Sequence, residues 1–223
     1  MVSMRTMCRL KSIFGYFILT IILSACAANF ADEQGIKDYV LDEDNGLVKS
    51  RKIGDFSSKL TYRPSDLFIA QELDGITSDK DSSYAQNVNQ LLNKYKDYYY
   101  FVWEVSYSTD QGEHEALYTT GREGFSEVLQ RLSFRMHEYA NLTSSANDTI
   151  PVADAIFPRT YGMGSASTIL MVYAKKNLDP EAKWISININ ELGLGLGDQK
   201  FRFSVEHMED VPRLKRLKRF LNN

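Results

Sequence analysis

Cysteine is nearly absent. Cys8 and Cys26 are the two in 223 residues, and Cys8 lies in an apolar N-terminal leader. Everything after Cys26 is free of thiols, so a disulfide framework, a redox pair and a cysteine-ligated metal are excluded there. Histidine is scarce as well. His114, His137 and His207 form no H-x-x-x-H or H-E-x-x-H pair, and Glu113-His114-Glu115 reads as an exposed polar loop that would need a distant ligand to hold a metal. No Walker sequence and no G-x-S-x-G occurs, and Gly164-Ser165-Ala166-Ser167 does not replace the latter. The run Leu192-Gly193-Leu194-Gly195-Leu196-Gly197 has a G-x-G but lacks dinucleotide-site spacing, so it reads as a bend or bulge. No metal and no cofactor is expected. Basic excess is missing too: the net charge is −3, which argues against a nucleic-acid partner. Apolar content is not lacking. At 43% hydrophobic and 12% aromatic, the chain can build a sizeable core rather than stay disordered.

The leader has three parts. Arg5, Arg9 and Lys11 precede an apolar run from Ile13 to Leu23, and no acid occurs before Cys26. A run of that length is too short to span a bilayer, which needs roughly 20 residues, and the layout is that of a secretory signal. Leu23-Ser24-Ala25-Cys26 closes it, and the segment resembles the signal of bacterial lipoproteins. The resemblance covers about the first 26 residues. It implies cleavage before Cys26, a diacylglyceryl thioether on its sulfur and acylation of its freed amine. Several acyl chains make a stable foot, since each buried methylene contributes about 0.8 kcal/mol. Ala27 after the cysteine implies sorting to the periplasmic leaflet of the outer membrane. Loss of residues 1–25 removes three basic residues and no acid, leaving 23 Lys plus Arg against 29 Asp plus Glu, a net of −6.

Residues 26–46 carry Asp32, Glu33, Asp38, Asp42, Glu43 and Asp44 and read mainly as an acidic tether, with a short strand or helical turn open for Ile36 to Leu41. Residues 47–223 read as one α+β domain, a mostly antiparallel sheet of about 7–8 strands with about 4 helices packed on a face. A hairpin is expected over 47–62, then a helix capped by Ser65 over 67–73. A polar break over 79–83 leads to a helix opened by the capping box Ser83-x-x-Gln86. Tyr98 to Tyr107 is the strongest strand, with Tyr99, Phe101, Trp103, Val105 and Tyr107 on one face. Ala116 to Thr119 is expected to pair back. A second capping box, Thr120-x-x-Glu123, opens a long helix with Leu132 on its apolar stripe and Phe134 opposite it, in need of a second contact. Asn141 to Asp148 reads as a polar loop. Two strands are expected around Gly162-Met163-Gly164, and alternating strands over 184–190 and 200–205. Trp103 and Leu132 should be buried.

Asp210 to Leu221 is expected as a basic helix. Val211, Leu214, Leu217, Phe220 and Leu221 fall on one half, and Lys215, Arg216 and Arg219 on the other, a candidate surface for anionic lipid headgroups or an acidic partner. Glu104, Asp154 and Glu191 would support glycoside chemistry only if two of them converged. Tyr95, Tyr98, Tyr99 and Tyr100 offer either sugar-stacking surfaces or core packing. These residues favour a non-enzymatic, membrane-anchored envelope lipoprotein: a domain held to the bilayer through acylated Cys26 that docks a periplasmic protein partner or assembly. A tethered cell-wall glycan-binding protein or hydrolase is the alternative that rests on the carboxylates and tyrosines. A lipoprotein that neutralises a delivered toxin fits an acidic tethered domain equally well.

Overall fold

The computed structural model describes residues 29–75 and 82–221. The leader, Cys26 and the break over 79–81 lie outside the described residues. The chain begins with a two-residue strand, Phe30–Ala31 (β1). Asp32 then caps the helix Glu33–Leu41 (α1), its carboxylate accepting from the Gly35 N–H at 2.8 Å. Ile36 and Val40, one turn apart, are buried in the main core. The stretch expected as a tether is therefore part of the body from residue 30 onward. Two apolar residues at i and i+4 are enough to dock it, and its acids face outward.

The hairpin Val48–Ile53 (β2) and Phe56–Tyr62 (β3) forms as expected. Helix Ser65–Asp74 (α2) has Pro64 at its N-cap, so Ser65 is the first helical residue and not the cap. Helix Ser82–Tyr95 (α3) buries Tyr84, Val88 and Leu91. It starts at Ser82, so Ser83, expected as the cap, is a helical residue. The long strand Tyr98–Thr109 (β4) follows, and Gly112–Glu115 (β5) pairs back on it. Residues 116–119 are a 3₁₀ turn instead of the returning strand. Thr120 makes no side-chain cap bond to helix Gly121–Phe134 (α4). Thr120 has helical dihedrals, and its hydroxyl donates to the Leu117 carbonyl at 2.8 Å. The short helix Met136–Tyr139 (α5) leads into Ala140–Ser144 (β6), a strand where a polar loop was expected. Asn141 and Thr143 alternate with buried Leu142, and Asn188 donates to both polar side chains, which satisfies a polar strand face.

Thr149–Pro151 (β7), Asp154–Ile156 (β8), Ser167–Ala174 (β9), Trp184–Ile189 (β10) and Gln199–Ser204 (β11) complete the sheets. Helix Val205–Glu209 (α6), strand Arg213–Leu214 (β12) and the single turn Lys218–Leu221 (α7) close the chain.

The fold is α+β and mostly antiparallel. It holds two main sheets where one was expected, ordered β2-β3-β4-β9-β8 with β5 against β4, and β11-β10-β6-β7. A third pairing, β1 with β12, is parallel. The core lies between the main sheets, where the Phe101 and Phe203 rings meet at 5.0 Å. Trp103 is 1% and Leu132 0% exposed. The Trp103 indole donates to the Ser58 hydroxyl at 2.9 Å, so its one polar atom is satisfied.

Candidate functional site

Strands β8 and β9 are joined by a loop, residues 157–166, that is much longer than the glycine turn read from the sequence. Its tip is a tight turn. The Met163 N–H donates to the Thr160 carbonyl at 3.0 Å, and Tyr161 and Gly162 have φ of 53° and 78°. Two successive positive φ angles make this a type I′-like turn, which favours Asn, Asp or Gly at the first position. A tyrosine there is strained by about 1–2 kcal/mol. Tyr161 is nevertheless 73% exposed and Met163 85% exposed, so neither is recovered by burial.

A buried carboxylate holds the loop. Glu115, 3% exposed at the end of β5, accepts from the Thr160 hydroxyl at 2.5 Å and from the Gly164 N–H at 2.9 Å. Expected on an exposed polar loop, Glu115 instead grips both sides of the turn. Gly162 lies against the Tyr118 ring, and Tyr118 packs on Phe125 at 5.3 Å. Tyr118, Ile156 and Phe134 are also exposed, so no second contact buries Phe134 among the described residues. The loop with Tyr161 and Met163, the 3₁₀ turn before α4 with Tyr118, the last residue of α4, Phe134, and the edge strand β8 with Ile156 thus carry exposed large apolar side chains. No local signal reported this: the Glu115 bonds span 45 and 49 residues. Tyr161 and Met163 interleaved with Gly162 and Gly164 were the available hint.

The C-terminal segment is not one helix. Pro212 precedes β12, whose Leu214 N–H donates to buried Asp66 at 2.7 Å, while the Arg213 Nε donates to the same oxygen at 2.9 Å. This extended pair breaks the helix, and a 3₁₀ turn over Lys215–Leu217 follows. Leu214 and Leu217 still reach the core, because a spacing of three suits a strand followed by a 3₁₀ turn as well as an α-helix. Of the three candidate basic residues, Arg216 is paired with Asp74 at 2.6 Å, and Arg219 lies over the Tyr84 and Phe220 rings at 5.1 and 4.8 Å. Lys215 is exposed. Lys218, read as an edge residue, lies over Phe30 at 5.4 Å.

The carboxylate candidates do not converge. Glu104 pairs with Lys59 at 2.7 Å. Asp154 lies two strands away and aligns with Tyr100 through Val172, a separation of roughly 17 Å by strand geometry. Glu191 belongs to the glycine run. Its carboxylate accepts the N–H groups of Gly193, Leu194, Gly195 and Gly197, at 2.6, 2.7 and 3.1 Å for the first three. The run is a backbone nest filled by its own side-chain anion. Burial opposes the Glu191 charge, but these four bonds outweigh it and hold the carboxyl below its usual range. The tyrosine cluster is mostly structural. Tyr100 is buried against Phe68 at 4.6 Å, its phenol pushed up to about 12 by burial, and Tyr95 donates to Glu72. Tyr98 is 37% exposed. Among the described residues no group of three or more His, Cys, Asp or Glu converges as a metal site, and no helix is long and apolar enough to cross a membrane.

No family model and no curated protein sequence matches the chain. A search of solved structures finds a likeness to a DUF4426 family protein from Pseudomonas aeruginosa PAO1, at 12% identity over 71% of this chain and 92% of that one, with a TM-score of 0.32. At that TM-score the likeness has no bearing on function.

Proposed function

We propose that this chain is a non-enzymatic envelope lipoprotein, held by acylated Cys26 to the periplasmic leaflet of the outer membrane, that docks a protein partner through the 157–166 loop and the apolar face beside it. The observation that carries the docking surface is the display of Tyr161 on a strained turn gripped by buried Glu115. A residue kept in a costly conformation and left exposed is explained by what it contacts outside the molecule. A rigid aromatic beside a methionine, rimmed by polar groups, is the composition of an interface centre.

The fold gives this surface a direction. Glu115 pairs with Ser106 near one end of β4. Tyr99, seven residues back along the strand, shares a cleft with Arg213, the partner of Phe30. Seven strand residues span about 23 Å. In this reading the 157–166 loop lies about 23 Å along β4 from the end of the body that holds Phe30, and a molecule anchored through Cys26 would present it outward.

A photo-crosslinking residue placed at 161 in the full chain, in intact cells, tests this. A discrete protein adduct is expected at 161, none from the same probe at exposed Lys52, and a weaker one at 161 when Glu115→Ala frees the loop. No adduct at 161, or equal adducts at both positions, would remove the docking surface.

A further inference from the structure

A second concave site lies at the opposite end of β4. It is a cleft of about 340 Å³ between the end of β3, the start of α2, the start of β4, the turn after β9 and the segment joining α6 to β12. That volume is in the range of small-molecule sites. Its apolar lining includes Met208, Val211 and Pro212, and its charged lining has three cations, Lys96, Lys175 and Arg213, against two carboxylates, Asp66 and Glu209.

Lys175 is the central group. It is half-buried, and its ammonium lies over the Tyr99 ring at 4.7 Å. Its ammonium has no hydrogen-bond or salt-bridge partner among the described residues, while its backbone N–H donates to the Asp97 carbonyl at 2.9 Å. Burial pulls its pKa down, and nearby Arg213 adds to that, against the opposing fields of Asp97, Glu209 and Asp66. Withdrawing a lysine from water without an acceptor is unfavourable. Arg213 is the second group. Its Nε is engaged by Asp66, which leaves both terminal nitrogens without a protein acceptor among the described residues. Those two nitrogens form a planar fork suited to a carboxylate. The Tyr62 and Tyr99 phenols line the same cleft, and burial raises both their pKa values, so they remain donors at neutral pH.

The charge count selects the ligand. Among the lining side chains, Lys96, Lys175 and Arg213 face Asp66 and Glu209, a balance of one positive charge, with Asp97 acting on Lys175 from outside the lining. Asp66 is already spent on Arg213 and the Leu214 N–H. A singly charged anion neutralises the site, whereas a phosphate dianion would leave it negative beside Glu209.

From this arrangement we infer that the cleft binds a small organic monocarboxylate, with the carboxylate between the Arg213 fork and the Lys175 ammonium. The inference is independent of the docking loop and of the lipid anchor.

The probe is N-acetylglycine, titrated into the full chain, isotopically labelled and held in detergent micelles, and followed by amide chemical shifts. Saturable shifts are expected around Tyr99, Lys175 and Arg213. N-acetylglycine amide, which lacks the charge, should give none, and inorganic phosphate should bind more weakly. Lys175→Gln removes no protein contact except one ring face and should weaken binding about tenfold with an unchanged melting temperature. Arg213→Lys, which keeps a charge beside Asp66 but loses the fork, should weaken it similarly. Failure to saturate, equal binding of the amide, tighter binding of phosphate, or full affinity in Lys175→Gln would each overturn the proposal.

Discussion

Phe30 pairs with Arg213 across a two-residue parallel ribbon, and the Arg213 N–H donates to the Asn29 carbonyl at 2.8 Å. Three residues separate Cys26 from Phe30, a reach of at most about 14 Å over four extended links. An acylated Cys26 would therefore hold the Lys215–Arg219 segment against the bilayer.

That placement predicts which cations matter. Lys215, Lys218 and Arg219 form no salt bridge among the described residues, and Arg219 lies over the Tyr84 and Phe220 rings. Each such residue near an anionic surface contributes about 1 kcal/mol. The Cys26→Ser chain, which cannot be acylated, should sediment with anionic vesicles at low salt and lose roughly fivefold in affinity for each of the three changed to Gln. Arg216→Gln should matter less, because Arg216 is already tied to Asp74. Sedimentation that is insensitive to salt, or an Arg216 effect as large as that of Lys215, would contradict this placement. Labelled palmitate should enter the wild-type chain and not Cys26→Ser, which tests the foot itself.

The core makes a sharper demand at Trp103. Its indole N–H is buried on the Ser58 hydroxyl. Trp103→Ala should cost about 3–5 kcal/mol by cavity formation. Ser58→Ala removes almost no volume but strands the indole donor, for about 1–3 kcal/mol. In the double variant Trp103→Phe with Ser58→Ala, the Ser58 part of the loss should vanish. Denaturation midpoints for the four proteins give the coupling, and strict additivity would show that the bond contributes nothing.

Glu191 predicts a pH dependence. Its folded pKa lies below the unfolded one, and an unfolded glutamate titrates near about 4.3. The stability it supplies is thus fully present above that value and is lost as pH falls through the lower, folded value. Glu191→Gln should be destabilising at pH 7, by about 1–3 kcal/mol for loss of charged hydrogen bonds at a partly exposed site. The gap to wild type should close in acid. A gap that persists unchanged below the folded pKa would mean the nest does not depend on the charge.

What was legible in the sequence follows the physics of each segment. Trp103, Ile185, Ile187, Phe201 and Phe203 stood out because a strand with one buried face repeats every two residues. Strand β6 was hidden because Asn141 and Thr143 are satisfied by Asn188 from another strand, a pairing that short-range pattern cannot report. The basic segment misled for the opposite reason. Val211, Leu214 and Leu217 have helical spacing, and Asp66, more than 140 residues earlier, captures the Leu214 N–H and decides for a strand. The glycine run was read as a bend, but not as the cradle of Glu191. The 157–166 loop depends on Glu115 reaching Thr160 and Gly164, and nothing near 160 in the chain foretells that grip.

Tyr161 offers the most discriminating test, because stability and docking should move in opposite directions there. Its φ of 53° lies in the left-handed region, where Asn is far better tolerated than an aromatic residue. The side chain is 73% exposed, so replacing it removes little packing. Tyr161→Asn should therefore leave the fold intact and raise its stability by up to about 1 kcal/mol, or a few degrees in melting temperature for a domain of this size. The same change removes the aromatic offered to a partner, so a crosslinker moved to neighbouring position 163 should lose its adduct. Met163→Ser, at a residue 85% exposed, should weaken an adduct formed from 161 with no gain in stability. If Tyr161→Asn were stabilising and the adduct from 163 survived at full strength, the strained tyrosine would not be the docking residue. If it were destabilising, the ring would have a structural duty to Tyr118 and Gly162 that its exposure does not suggest.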